Sequence, residues 1–264
     1  GVPFVHHVHS PTARDTENFF RNRINAIVER VCLMGVSQLI PVSKSLENYL
    51  RQQGWLPEKI TMVSNGVVTP GPLSDRAMPQ SDWIIGSVAL FRPRKGIEIL
   101  IQALAVLRQN NYAVHLRAVG PFETPMYENV IKALAVRLGV ADMIDWVGFV
   151  QDVDFELRKM DVLVLPSLFG EGMPMVILEA MAAGVPVVAS DVEGIPEVLE
   201  HGLAGIVVKP GDADSLASAL SALMNNKYDW RNLRTNAYHL QVEKFSDLSM
   251  AKGVAKIYDA VLAN

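Results

Sequence analysis

The 264 residues carry 24 Lys and Arg against 28 Asp and Glu, a formal net charge of −4, with half of them hydrophobic and a fifth charged. That is the composition of a folded chain of one large or two modest domains. It excludes a disordered chain and a general nucleic-acid binder, which needs a basic footprint. A single cysteine, Cys32, excludes an internal disulfide and a thiolate zinc cluster, and no apolar run reaches the length of a membrane span.

The chain starts at Gly1, without Met, inside a strand-like run, so it reads as a fragment with no visible signal peptide. The first part alternates strand 4–9, helix 16–34, strand 38–41, helix 44–53 and strand 60–63. Cys32, between Val31 and Leu33, reads as buried packing. Helix 16–34 carries Arg21, Arg23 and Arg30 diluted by Glu17 and Glu29; it reads as a solvated face, with a basic face toward a membrane as the alternative. Segment 64–80, with Pro70, Gly71, Pro72, Asp75 and Pro79, reads as a linker.

Beyond it the alternation is cleaner. Segment 83–90 is a near-continuous apolar run, as a strand buried on both faces requires. Helix 96–109 spaces Ile97, Leu100, Ile101, Leu104 and Leu107 along one face. Strand 114–119, helix 127–138, strand 144–147, helix 153–159, strand 161–165 and helix 175–183 follow. Strand 186–190, helix 195–200, strand 205–208 and helices 214–225 and 247–262 complete the chain. Repeated βα units with right-handed crossovers give an α/β fold, a doubly wound parallel sheet covered by helices. Ligands bind such sheets beyond the carboxyl ends of the strands, which selects the loops after Leu90, Val119, Val147, Leu165 and Ser190.

Two of these loops carry chemistry. Arg92, Arg94 and Lys95 precede Gly96 and a helix start, a combination suited to a diphosphate or, more plainly, a solvated basic turn. The loop after 161–165 presents Glu171, Gly172, Met173 and Pro174 ahead of a helix starting at Met175. Pro174 fits the first helical turn. Glu179 lies ~6 Å further along the helix axis, so both carboxylates can face one cleft. A carboxylate accepts two hydrogen bonds from a vicinal diol; one glutamate would hold a ribose, the other a hexose, and the backbone N–H groups of Gly172, Met173 and Met175 would face phosphate between them. The plain alternative is two acidic residues stabilising a helix N-terminus. His6, His7 and His9 invite a metal, but His7 and His9 share a strand face while His6 points away; a polar strand end and a sugar contact by His9 are the other readings.

The run FGEGMPMVILEAMAAGVPVVAS followed by EGIPEVL resembles the donor site of the retaining GT-B glycosyltransferases of family 4 (glycosyltransferase group 1), with Glu171 and Glu179 in an E-x7-E spacing. PVSKSLENYL, KITMVSNGV, Lys95–Gly96, VGFVQDV and GIVVKPGDADSLASAL extend the resemblance over almost the whole chain. It implies a GT-B architecture: a complete C-terminal Rossmann-like domain over 83–240, preceded by part of an N-terminal Rossmann-like domain over 1–72 and a linker over 73–82. The terminal stretch 241–264 would cross back to the first part, and roughly a hundred residues of the N-terminal domain would be absent.

The resemblance also implies roles. Lys95, Glu171 and His9 are the expected catalytic residues. Arg92, Arg94, Lys95, Val150, Glu171, Gly172, Met173, Pro174, Met175 and Glu179 are the expected donor contacts. Lys95 takes the diphosphate, Glu179 the ribose, Glu171 the transferred sugar, and the loop around Val150 lies near the base. The family arginine five residues before the lysine is replaced here by Leu90, leaving Arg92 or Arg94 to substitute. The implied donor is a UDP- or GDP-sugar and the acceptor a glycan or glycolipid, with no cofactor and no metal. The implied location is cytoplasmic, with peripheral contact at the inner membrane face. A nucleotide-sugar-binding module without catalysis is the alternative function; a sugar-nucleotide epimerase or phosphorylase of similar fold fits the E-x7-E context less well.

Overall fold

The computed structural model describes residues 2–11, 19–69 and 71–263. Residues 16–18 of the expected first helix, Glu17 among them, and Pro70 of the expected linker lie outside the described residues. The first part contains β1 (Val5–Val8), α1 (Phe19–Cys32), β2 (Gln38–Pro41) and α2 (Lys44–Gln52). The second contains β3 (Trp83–Val88), α3 (Ile97–Gln109), β4 (Val114–Val119), α4 (Pro125–Arg137), β5 (Ile144–Gly148), α5 (Val153–Leu157), β6 (Val162–Leu165) and α6 (Met175–Ala182). It continues with β7 (Val187–Ser190), α7 (Ile195–Val198), β8 (Ile206–Val208), α8 (Ala213–Met224), α9 (Trp230–Lys244) and α10 (Asp247–Leu262).

β1 and β2 pair in parallel. The other six strands form one parallel sheet in the order β5-β4-β3-β6-β7-β8. The chain winds outward from β3 to β5, then returns to β6 beside β3 and winds the other way. The crevice between the ends of β3 and β6 is therefore the topological switch point, where such sheets bind ligands.

Alternation along β6 shows how the sheet is buried on both faces. Val162 and Val164 pack into one apolar cluster with Leu100, Leu104 and Leu220; Leu163 and Leu165 pack into the other with Ile177 and Leu178. The second cluster also takes Val8, Leu39, Val42, Leu46 and Leu50, so the first part of the chain shares a core with this face of the large sheet.

Segment 60–63 is not a strand. It makes one isolated bridge between Leu39 and Ile60, with the N–H groups of Thr61 and Val63 donating to the carbonyls of Leu39 (3.0 Å) and Pro41 (3.1 Å). The next ladder bond needs an N–H from Pro41, which proline lacks. Cys32 is exposed rather than packed. The apolar residues Phe20, Ile24, Ile27, Val28, Val31 and Met34 of this region face outward too. Helical periodicity marks an apolar face without saying what covers it.

The stretch 73–82 has no regular element but is pinned. Arg76 bonds the Asp161 carboxylate and the Met160 carbonyl (2.7 Å). Arg234 of α9, itself buried, donates to Gly184 (2.6 Å) and to the carbonyls of Ser74 (3.1 Å) and Arg76 (3.3 Å). α9 has no counterpart in the sequence reading. Its inward face carries Arg234 and Gln241, polar residues that find internal partners and so blur the apolar period. α10 runs back along the first part: Asp247 N–H donates to Val67 O (3.1 Å), and a β-carbon on Gly253 would stand 2.9 Å from Val63 Cγ1. No helix among the described residues is long and apolar enough to cross a membrane.

Candidate functional site

The loops after β3 and β6 are stitched together over the switch point. Leu168 N–H donates to Arg94 O (2.8 Å), and Arg94 donates to the carbonyls of Gly170 (2.7 Å) and Phe169 (3.4 Å). Gly170 has φ +79°, and a β-carbon there would lie 2.7 Å from the Arg94 guanidinium. Gly96 has φ +65°, and its β-carbon would fall 2.1 Å from Pro166 O. Gly170 needs glycine for its backbone conformation, and Gly96 for its conformation and for the close backbone approach.

This stitching delivers Lys95 to Glu171. The ammonium donates to Glu171 Oε1, and Ser167 Oγ–H donates to the same oxygen at 2.6 Å. The pair is largely buried, the side chains being 16% and 5% exposed. Glu171 Oε2 accepts no bond among the described residues. Burial lowers the pKa of Lys95; Glu171 opposes the shift, and the charges of Arg94 and Arg92 add to it.

The arginines are not both aimed at an open site. Arg94 braces the 166–174 loop, and Arg92 lies 3.5 Å from Glu123. Yet the Nε–H groups of both are buried without an acceptor among the described residues. Leu90 is exposed and supplies no charge.

Pro174 is the N-cap of α6 rather than its first helical residue, and it offers no side-chain cap. The N–H groups of Gly172, Met173 and Met175 find no acceptor among the described residues. Uncapped N–H groups at a helix start beside a lysine suit an anion. Met173 is fixed by Asn65, whose side-chain amide donates to Met173 O (3.2 Å). Asn65 was not singled out in the sequence; it is a buried side chain in SNGV, and its contact is long-range.

Glu179 has different surroundings from Glu171. Glu179 lines an open cavity of about 660 Å³ with Val67, Val68, Gln151, Asp152, Asp154 and Ala182. Burial pushes its carboxyl pKa up, and no hydrogen bond engages it among the described residues. Val150 itself packs against the core, while its neighbours 151–154 line the cavity. Gln241, fully buried, donates to Val67 O (2.9 Å) and accepts from Thr69 (2.8 Å), which fixes the Val67 backbone at the cavity.

His9 reaches the site through its backbone: a β-carbon on Gly172 would lie 2.2 Å from His9 O. Its exposed ring stacks on His7 at 6.2 Å. Desolvation first, then neighbouring imidazoles, lower both pKa values. Among the described residues no three His, Cys, Asp or Glu side chains are placed to hold a metal ion.

Residues 74–240 match the family described as Glycosyl transferases group 1, and residues 1–69 match Glycosyltransferase Family 4. The amylovoran biosynthesis glycosyltransferase AmsK of Erwinia amylovora is 31% identical over 72% of this chain and 48% of its own. The MMP alpha-(1->4)-mannosyltransferase of Mycolicibacterium hassiacum is 30% identical over 100% of this chain and 66% of its own. The crystal structure of Anabaena HepE in complex with UDP and glucose superposes with a TM-score of 0.86 at 23% identity, over 97% of this chain and 71% of that one. The chain spans about half the length of the first curated relatives it matches. By family match and fold together, the chain belongs to the group 1 glycosyltransferases of GT-B architecture.

Proposed function

We propose that the protein transfers a hexosyl group from a UDP- or GDP-sugar to a glycan or glycolipid acceptor, with retention at the anomeric carbon. The observation that carries this reading is the Lys95–Glu171 pair at the switch point, beside uncapped N–H groups of the 172–175 loop, with Glu179 one helical turn further on lining the open cavity. Two carboxylates in separate subsites suit a ligand with a diol at each end and a diphosphate between them.

In this reading Glu179 takes the ribose hydroxyls and the cavity wall 151–154 takes the base. Glu171 Oε2 takes a hydroxyl of the transferred sugar. Lys95 has three donors and gives one to Glu171; the others, with Met175 N–H, meet the diphosphate. As the C1–O bond to phosphate breaks, its electron pair and charge pass to the diphosphate, which these fixed donors stabilise before any rearrangement. The acceptor oxygen bonds C1 from the same face, and its proton passes to the departing phosphate oxygen. No protein base is then required. His9, whose backbone carbonyl abuts Gly172, would meet the sugar from the acceptor side.

Calorimetry with UDP and GDP, paired with a donor-consumption assay, tests the reading. One nucleotide is expected to bind, and Lys95→Ala to lower turnover ~10²-fold or more, the scale of one lost preorganised donor. Turnover of Lys95→Ala equal to that of the unmodified protein overturns the assignment.

A further inference from the structure

We propose that Glu193, in the loop between β7 and α7, is a positioning residue for Glu171; this rests on Glu171 contacting the transferred sugar. β7 lies next to β6 in the sheet, so the loops beyond their carboxyl ends are neighbours. The Glu193 carboxylate accepts the backbone N–H of Glu171. The next residue, Gly194, donates its own N–H to Glu171 O at 3.0 Å. Consecutive residues of one loop thus hold both peptide groups of Glu171.

The contact is close enough to be selective. A β-carbon on Gly194 would lie 1.9 Å from Gly172 O, so this approach of the two loops admits no side chain there. Glu193 itself sits at φ +45°. A left-handed conformation is strained for a residue with a side chain, and glycine would avoid it. The strain is offset by a charge-assisted bond that glycine cannot make.

The effect falls on one atom. Lys95 and Ser167 hold Oε1 of Glu171, and the 193–194 clamp holds its backbone. Oε2 is the oxygen left without a partner among the described residues, and its position is set by these bonds together. Glu193 also lines a small cavity of about 190 Å³ with Ser45, Leu46, Asn48, Gln52 and Gly172. Losing the clamp therefore affects sugar recognition at Glu171 and leaves the nucleotide cavity at Glu179 intact.

The experiment compares Glu193→Gly and Glu193→Gln with the unmodified protein by two readouts. The first is amide hydrogen exchange at Glu171 without ligand. The second is the affinity for the nucleoside diphosphate against its sugar conjugate, with UDP and UDP-glucose or GDP and GDP-mannose as probes. Glu193→Gly is expected to speed Glu171 exchange ~10-fold. It should reduce the extra affinity contributed by the sugar ~5–10-fold while leaving nucleotide affinity within about twofold. Glu193→Gln keeps an acceptor oxygen and should restore most of both. Unchanged exchange in Glu193→Gly, or equal loss of affinity for nucleotide and conjugate, overturns the proposal. Failure of the unmodified protein to bind either nucleotide would instead remove the functional reading, and the exchange readout would still decide whether the clamp exists.

Discussion

Replacing Lys95 with methionine keeps the apolar stem and deletes the ammonium, leaving Glu171 5% exposed with Ser167 as the donor to its carboxylate. Removing one partner of a buried ion pair typically destabilises by ~3–5 kcal/mol, because the other charge stays desolvated. The lower end applies here: the Ser167 bond persists, and Arg94 remains nearby. Lys95→Met is therefore expected to lose ~3 kcal/mol. Glu171→Gln should lose less, ~1–2 kcal/mol, because it preserves an acceptor for Ser167 and because a buried ammonium can shed its proton. The double variant removes both charges, so its loss should fall short of the sum of the singles by at least ~1.5 kcal/mol. Urea unfolding at pH 7 with an unchanged denaturant slope reads all three. Additive losses would show that the pair is a surface-like contact, and the electrostatic account of the switch point would fall.

Three further outcomes follow from the same contacts. Nucleotide affinity should fall at higher pH than an ordinary glutamate would allow on the acid side, because Glu179's carboxyl pKa is raised, and at lower pH than an ordinary lysine on the basic side, because Lys95's is lowered. Titration calorimetry across pH, with Glu179→Gln abolishing the acid limb, checks this; a Glu179→Gln profile identical to the parent's contradicts it. Gly170→Ala should destabilise the protein by ~1–2 kcal/mol from its positive φ and displace Arg94, weakening donor affinity; unfolding curves and calorimetry together detect it. Gln241→Leu leaves Val67 O without its side-chain donor and should lower stability ~1–3 kcal/mol, with the nucleotide affinity reduced more than that of a surface control.

Much of this was legible because local signals agreed. β2, β4 and α10 run over the residues their periodicity predicts, and the other strands of the large sheet differ from the reading at their ends only. The loops after β3 and β6 announced their chemistry by composition, since cations, glycines and carboxylates beside a helix start are rare together. What the sequence hid was long-range. Pro41 ended the third pairing of the small sheet through a missing N–H on its partner strand. α9 concealed its inward face because Arg234 and Gln241 bury polar groups against carbonyls of residues 74, 76, 184 and 67. Cys32 lay on an apolar stretch that faces outward. The partners of Glu171 and Met173, namely Glu193 and Asn65, come from segments 22 and 108 residues away. No spacing rule reaches that far. The surroundings of Glu171 depend on how the 166–174 loop folds onto Lys95, and those of Glu179 on what packs against α6, and periodicity encodes neither.

The most direct test is a crystal structure of the protein soaked with UDP or GDP, whichever binds. The ribose hydroxyls are expected within ~2.6–3.2 Å of the Glu179 carboxylate, and the terminal phosphate within the same range of Lys95 Nζ and Met175 N–H. A nucleotide bound elsewhere, or bound with its phosphates pointing away from the loop 172–175, would contradict it.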